Sequence, residues 1–563
     1  MSRPVAICAL AVLLAVLGLT TWAQPEAAFD IVIRGGQVID GTGSPWYAGD
    51  VGIRNGKIAA LGNLSNARAG RLVEARGLTV APGFIDMLGQ SELTLLVDPH
   101  VPSKVFQGIT TEITGEGGSA APLNDAIVKA DHVTYEHYGI TPDWKTFREY
   151  FARLESRKIG INFASYVGAT QVRRMVLGDA DRAPGPSELE QMKGLVREAM
   201  RDGAVGVSSS LQYAPAPYAS TEELIALAAE STKFGGIYAT HMRSEGDAIK
   251  AALEEAIRIG REAHIPVEIW HLKAAGKKNW GRMPEIVGYV ERARADGVDV
   301  TADTYAYTAW FNSLSAFIPP WAHDGGDRRM IERLKDPAMR DRIRKDLQSP
   351  TGNWDNEWQE IPGPDAILIS VVQNPALQPL QGKTLSEVAR LQAKDPMDTL
   401  FDILIQDDAF TSVAVFAMSE EDVSRALLQP WVSVDNDSQG TSPEGLLGKE
   451  HPHPRAYGTF PRILRKYVRE EKKLRLEEAI RKFTALPAQR MRLVDRGVLK
   501  AGMWADIVVF DPEKIRDLAT FENPNQLSAG MQYVLVNGVP VIDGGKPTGA
   551  LPGKVLRGPG CVP

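Results

Sequence analysis

Three stretches decide the architecture: Ile237-Tyr238-Ala239-Thr240-His241-Met242-Arg243, Val267-Glu268-Ile269-Trp270-His271-Leu272-Lys273 and Trp431-Val432-Ser433-Val434-Asp435-Asn436-Asp437. Each reads as a strand that ends on a residue with chemistry to offer. In a parallel β/α barrel all strand C-termini open onto one face, so His241, His271 and Asp437 would converge there although they are far apart in the chain. Two neutral imidazoles and a carboxylate are what a hydrolytic zinc centre needs. The chain holds only nine histidines, so two of them at strand ends stand out against the alternative of core histidines bonded to backbone carbonyls.

Working outward, the middle of the chain alternates strands and helices. Candidate strands are Phe84–Met87, Ile109–Thr114, Ile161–Val167, Val205–Ser208, Ile237–Thr240, Val267–Trp270, Val298–Ala302 and Trp431–Val434, the number that closes a barrel. Between them, Ser187-Glu188-Leu189-Glu190 and Ser220-Thr221-Glu222-Glu223 read as capping boxes that open helices. A long stretch between the seventh and eighth strands, about 310–429, is rich in Trp, Pro and Asp. A connection of that length needs its own structure, and lids are built this way.

The two ends have a different texture. Ile31-Val32-Ile33, Val38-Ile39 and Val51-Gly52-Ile53 are short β segments separated by Asp40-Gly41 and Asn55-Gly56 turns, and Ala505–Phe510 and Tyr533–Gly538 repeat the pattern. The expected fold is therefore α/β: a (β/α)8 barrel over 81–485 carrying the insert, with a small β-sandwich built from 28–80 and 486–555.

The first 23 residues read as a signal peptide. Arg3 gives a positive start, Val5 to Leu19 is an apolar run shorter than a membrane span, and Thr21-Trp22-Ala23 precedes Gln24 as a small-residue cleavage site. The mature chain is expected to be exported and free of the membrane. The net charge of −7 argues against nucleic acid as a partner, because a backbone-binding surface should be basic. Cys8 and Cys561 are the two cysteines, one of them inside the leader, so there is no disulfide framework and stability must come from a core.

Several motifs in order resemble the N-acyl-D-amino-acid deacylase (D-aminoacylase) group of the amidohydrolase superfamily. They are Val80-Ala81-Pro82-Gly83-Phe84-Ile85-Asp86, Gln107-Gly108-Ile109-Thr110-Thr111, Tyr238–Arg243, His271–Gly276, Ala302–Tyr307, His453-Pro454-Arg455-Ala456-Tyr457-Gly458-Thr459-Phe460 and Gly502–Val508. The resemblance covers nearly the whole mature chain. It implies a β/α barrel with a flanking β-sandwich, zinc, and hydrolysis of the acyl amide of an N-acyl-D-amino acid. A cyclic-amide or dipeptide hydrolase of dihydroorotase-like or isoaspartyl-dipeptidase-like type, and a catalytically silent barrel that binds a small ligand, are the alternatives.

Two departures from the family bear on the metal. The superfamily carries His-x-His after Gly-Phe-Ile-Asp; here Leu88 and Gln90 stand in its place, so the second metal position should be weak or empty. The D-aminoacylases carry a cysteine ligand in a Gly-Asn-Cys-Gly turn after the second strand; here the turn is Gly115-Glu116-Gly117-Gly118. A carboxylate can take that role, as in His-His-Glu zinc sites. One zinc per chain held by Glu116, His241 and His271 is the expectation.

The resemblance makes Asp437 the catalytic carboxylate, able to accept a water's proton and deliver it to the leaving amine. Asp435, two residues earlier on the same side of an extended strand, is the rival. Lys273 matches a lysine that contacts the substrate's α-carboxylate, Arg243 offers bidentate geometry for a carboxylate, and Tyr213 and Tyr305 are expected to line the pocket. Asp303 is expected to orient an imidazole, His453 to take a structural or pocket-wall role, and His323, His132 and His137 to be ordinary loop residues.

Overall fold

The computed structural model describes residues 28–349 and 354–562; the expected leader at 1–23 lies outside them. Eight parallel strands form the central element, labelled here β1 (Phe84–Asp86), β2 (Ile109–Thr114), β3 (Asn162–Ser165, resumed at Val167–Gly168), β4 (Gly206–Ser210), β5 (Ile237–His241), β6 (Val267–Ile269), β7 (Val300–Thr304) and β8 (Val432–Val434). They make two arcs, β1-β2-β3 and β3-β4-β5-β6-β7-β8. The arcs join at both ends. Val205 N donates to Ser165 O at 3.0 Å, and Met87 N donates to Val434 O at 3.4 Å, with a parallel bridge between Gly89 and Ser438 beyond it. The strands thus close on themselves as a barrel.

Helices cover the outside because their apolar residues recur at helical spacing. In Ile249–Glu262 the buried set is Ile249, Ala252, Leu253, Ala256, Ile259 and Gly260, one stripe facing the strands. The helix Thr221–Thr232 is capped as the sequence suggests, with Ser220 Oγ accepting from Glu223 N at 3.1 Å. The Glu223 carboxylate does not complete the box; it is drawn to buried Arg173 at 2.7 Å. The other proposed box sits two residues late. That helix is Pro186–Asp202, opened by Pro186, with Glu188 accepting from Gly185 N at 2.7 Å, since proline suits the first helical position and has no N–H to lose.

Both chain ends contribute to one nine-stranded sheet. Its seam is the antiparallel pairing of Thr79–Pro82 with Ile507–Phe510. The strand Phe29–Val38 forks: its first half pairs with Ala69–Glu74 and its second with Thr79–Pro82. The sheet has its own core, including Ile31, Val51, Ile507 and Leu535. The last residues return to the barrel, where Val555 bridges Phe163.

The segment after β7 forms its own layer. Trp310–Ser313, Ile367–Ile369 and Ser412–Val415 make an antiparallel sheet over a separate core of Leu314, Phe317, Leu334, Phe401 and Val413. The layer ends earlier than position 429, because the helix Glu420–Leu427 packs on β7 and β8 as a barrel helix. Among the described residues no helix is long and apolar enough to cross a membrane.

Candidate metal centre

Glu116, His241 and His271 meet at the C-terminal mouth of the barrel. His241 Nδ1 lies 3.1 Å from Glu116 Oε1 and 3.0 Å from His271 Nε2, and His271 Nε2 lies 3.4 Å from Glu116 Oε1. Three donors on a tetrahedron with metal bonds of about 2.0–2.1 Å are separated by about 3.3 Å, so the observed triangle fits a zinc ligand face. Local backbone makes this possible. Gly115 and Gly117, at φ +98° and +66°, flank Glu116 and pass so close to their neighbours that a Cβ on Gly117 would lie 2.5 Å from Ser210 Cβ. His271 and Asp437 adopt positive φ, 38° and 42°. Such conformations cost roughly 1–3 kcal/mol each in non-glycine residues and gather at functional sites.

The remaining ring nitrogens fix the tautomers. His241 Nε2 lies 2.7 Å from Gln212 Oε1, so it donates there and leaves Nδ1 with its lone pair. His271 Nδ1 lies 2.8 Å from Glu245 Oε1 and 2.7 Å from Lys273 Nζ; Lys273 is itself held by Glu245, and donation from Nδ1 to that carboxylate is the tautomer that leaves Nε2 with its lone pair. Glu245 also grips Lys273 at 2.7 and 2.8 Å. The task assigned to Asp303 therefore belongs to Glu245; Asp303 instead accepts from the backbone N of His271 at 2.6 Å, which holds the strained turn rather than the ring.

Electrostatics favour a cation at this point. Burial and Lys273 press the His271 imidazolium down, but Glu245, Asp437 and Glu116 overcome them and raise it to about 10. Burial opposes ionisation of Glu116, yet its bonds to His241 and His271 hold it well below the usual carboxylate range. Carboxylates that pull positive charge onto an imidazole would equally stabilise a divalent ion.

Asp437 faces the same cavity, of about 380 Å³. Its carboxylate lies 2.9 Å from Arg455 Nη1 and 3.0 Å from Gln90 Nε2. Burial raises its proton affinity, and Arg455 and His271 oppose this. Asp435 is not on that surface. After β8 the chain turns out, Asp437 N bonds to Leu88 O at 2.9 Å, and Asp435 stays wholly buried. Burial and the charge of Asp437 push Asp435 up to about 7.

Other expected site residues divide. Tyr213 lines the cavity with its ring centroid 4.9 Å from that of His241, and Lys273 lines it too. Arg243 is a correction. Its guanidinium binds Glu255 at 2.9 Å, Pro217 O at 3.0 Å and Ala219 O at 2.9 Å, so it spends four of its five N–H donors on clamping the loop that carries Tyr213, and it is absent from the cavity wall. Tyr305 is a second correction: wholly buried and absent from the cavity wall, it lies under Lys273 and Arg455, 5.6 and 4.6 Å from its ring centre. His323 is no ordinary loop residue, since it lines the cavity and is lowered to about 4 by burial.

With this geometry, similarity to known proteins can be placed. Residues 71–542 match the amidohydrolase family. The chain belongs to the amidohydrolase family. It is 37% identical over 529 residues to a D-aminoacylase of Alcaligenes xylosoxydans xylosoxydans, covering 94% of this chain and 97% of that one. It is 35% identical over 535 residues to an N-acyl-D-glutamate deacylase of the same organism, covering 94% and 97%. A solved structure of N-acyl-D-glutamate deacylase from Bordetella bronchiseptica, complexed with zinc and a phosphonate inhibitor, superposes with a TM-score of 0.79 at 33% identity over 94% of this chain and 99% of that one.

Where other amidohydrolases place His-x-His, this amidohydrolase has wholly buried Leu88 and Gln90, whose amide donates to Glu116 Oε2 at 2.8 Å and to Asp437 Oδ1 at 3.0 Å. A neutral amide thus joins the Glu116 and Asp437 carboxylates, where His-x-His would offer imidazole donors. Sequence reading also missed Arg455. It is fully buried, and among the described residues no guanidinium nitrogen makes an aligned hydrogen bond despite the ion pair with Asp437. His453 explains its pose: Nδ1 accepts from Arg455 N at 2.9 Å while Nε2 donates to Ala309 O at 3.1 Å.

Proposed function

We propose that this amidohydrolase hydrolyses the acyl amide of N-acyl-D-amino acids, releasing a carboxylate and a D-amino acid, with one zinc held by Glu116, His241 and His271. The observation that carries the reading is the 3.0–3.4 Å triangle of Glu116, His241 and His271, opposite Asp437 in a cavity sized for a small molecule. Similarity to D-aminoacylase along nearly the full length of both chains supports it. Zinc at those three donors would activate water and polarise the scissile carbonyl.

The chain's own residues supply the rest. Asp437 accepts the water's proton and passes it to the departing amine nitrogen; burial raises its affinity for that proton while Arg455 keeps the carboxylate from holding it too tightly. Burial, then the charge of Glu116, holds the Tyr213 phenol well above its usual range, so it stays a neutral O–H donor beside the reacting carbonyl. Lys273, on the cavity wall and held in place by Glu245, is the cation that meets the substrate's α-carboxylate, while Arg455, buried behind Asp437, acts through that carboxylate.

The test is hydrolysis of paired N-acetyl-D- and N-acetyl-L-amino acids by the zinc-loaded protein, read as release of free amine. Turnover confined to the D series is expected. Turnover of L substrates or cyclic amides instead would overturn the assignment.

The same proposal includes export. Arg3, the apolar run Val5 to Leu19 and Ala23 support a cleaved leader. Mass spectrometry of the native protein should find a terminus near Gln24; an intact Met1 or Ser2 terminus refutes it.

A further inference from the structure

The roof of the catalytic cavity carries acidic groups that hydrolysis leaves unused. Six carboxylates line the cavity against one lysine. Glu116 and Asp437 belong to the reaction, Glu245 holds Lys273 and His271, and Asp327 is exposed at the rim. The other two, Glu357 and Glu360, sit three residues apart on the single helical turn Glu357–Glu360 of the inserted layer, on one side of that turn.

Both are almost wholly buried, 1% and 2% exposed. Glu357 accepts from Asn312 Nδ2 at 2.6 Å through one oxygen; its Oε2, and Oε1 of Glu360, have no partner among the described residues. The lysines nearby are taken, Lys273 by Glu245 at 2.7 Å and Lys278 by Asp247 at 2.5 Å. Burial pushes Glu357 up to about 8 and Glu360 well above the usual carboxylate range, and the charge of Asp355 raises both further. Unpaired buried carboxylates are costly; both residues line the cavity, and a cation from outside the chain that drew their carboxyl groups towards it would relieve them. Trp310, Phe311 and Trp354 line the same roof, and aromatic faces suit a guanidinium or ammonium.

We infer that Glu357 and Glu360 read a positively charged group on the substrate, so that the preferred substrates are N-acyl-D-amino acids with basic side chains. The inference rests on the deacylase reading above. It assigns the inserted layer to side-chain recognition, while the barrel mouth carries the chemistry.

The experiment compares near-isosteric pairs on the zinc-loaded protein: N-acetyl-D-arginine against N-acetyl-D-citrulline, and N-acetyl-D-lysine against its Nε-acetyl derivative. The charged member should have at least about tenfold higher kcat/KM, the usual scale of a hydrogen bond to a charged group. Glu357→Gln and Glu360→Gln should each shrink that ratio; because the wild-type ratio needs no variant, a misfolded variant leaves the test intact. Equal rates within each pair, or preference for the neutral member or for N-acetyl-D-glutamate, overturn the inference while leaving the deacylase reading standing. Glycyl-D-leucine outrunning N-acetyl-D-leucine, with no preference within the pairs, would place the cation on the acyl side and overturn the side-chain assignment. No hydrolysis of any N-acyl-D-amino acid sinks both readings.

Discussion

Asp437 and Asp435 lie two positions apart, and the backbone separates their roles. The positive φ of Asp437 lifts its carboxylate into the cavity and leaves Asp435 beneath, beside Asp303. Asp437→Asn should therefore keep the fold and the zinc but lower kcat by roughly 10²–10⁴-fold, since asparagine matches the shape and cannot carry the proton. Asp435→Asn should cost less activity. Thermal melts, metal analysis and turnover on both variants check this, and the reverse ranking would put the base at Asp435. Metal content tests the ligands. Wild type should hold about one zinc per chain, and Glu116→Ala should bring that near zero, because two imidazoles alone are a poor site. Two stoichiometric metals in the wild type would refute the bridging role given to Gln90. Replacing Leu88 and Gln90 together by histidine should raise the stoichiometry towards two.

Among the elements, the loop after β4 brings two side chains to the metal centre. It carries Gln212, which fixes the His241 tautomer, and Tyr213, which faces the metal centre. Arg243 ties its far end through two carbonyls and is itself oriented by Glu255. Arg243→Met should cost about 1–3 kcal/mol of stability, the scale of charge-assisted hydrogen bonds. It should also lower kcat/KM by about tenfold while zinc content stays near one. Denaturant unfolding and steady-state kinetics read the two effects. A fall in KM, or loss of zinc, would show that Arg243 acts on the centre itself.

For the whole molecule, the metal links distant segments. Glu116, His241 and His271 come from the ends of β2, β5 and β6, so zinc bound there stabilises the closed barrel by mass action, by about 4 kcal/mol at a free concentration a thousand times Kd. Removing it with a chelator should lower the melting temperature by several degrees, and zinc should restore it. An unchanged melt after verified zinc loss would mean that the centre contributes nothing to the native state.

What could be read from the chain alone followed from period. Strands buried on both faces and amphipathic helices leave repeating signatures, so the alternation of β and α segments, the β-rich ends and the chemistry placed at strand ends were all legible; His241 and His271 were found because they close such strands. Glu116 was found only against a family pattern, as the one carboxylate in a glycine turn. Tertiary structure decided the rest, because loops have no period and a side chain's role depends on what lies across space. Arg243 looked free until Glu255 and two loop carbonyls claimed it. Tyr305 belonged to a site motif but lies beneath the cavity wall. Glu245, Gln212 and Arg455 had no local signal, and Gln90 showed only as a missing ligand, since each acts through a partner supplied by another strand end or loop. Glu357 and Glu360 were two acids in an insert until the fold of that layer turned them, unpaired, onto the catalytic cavity.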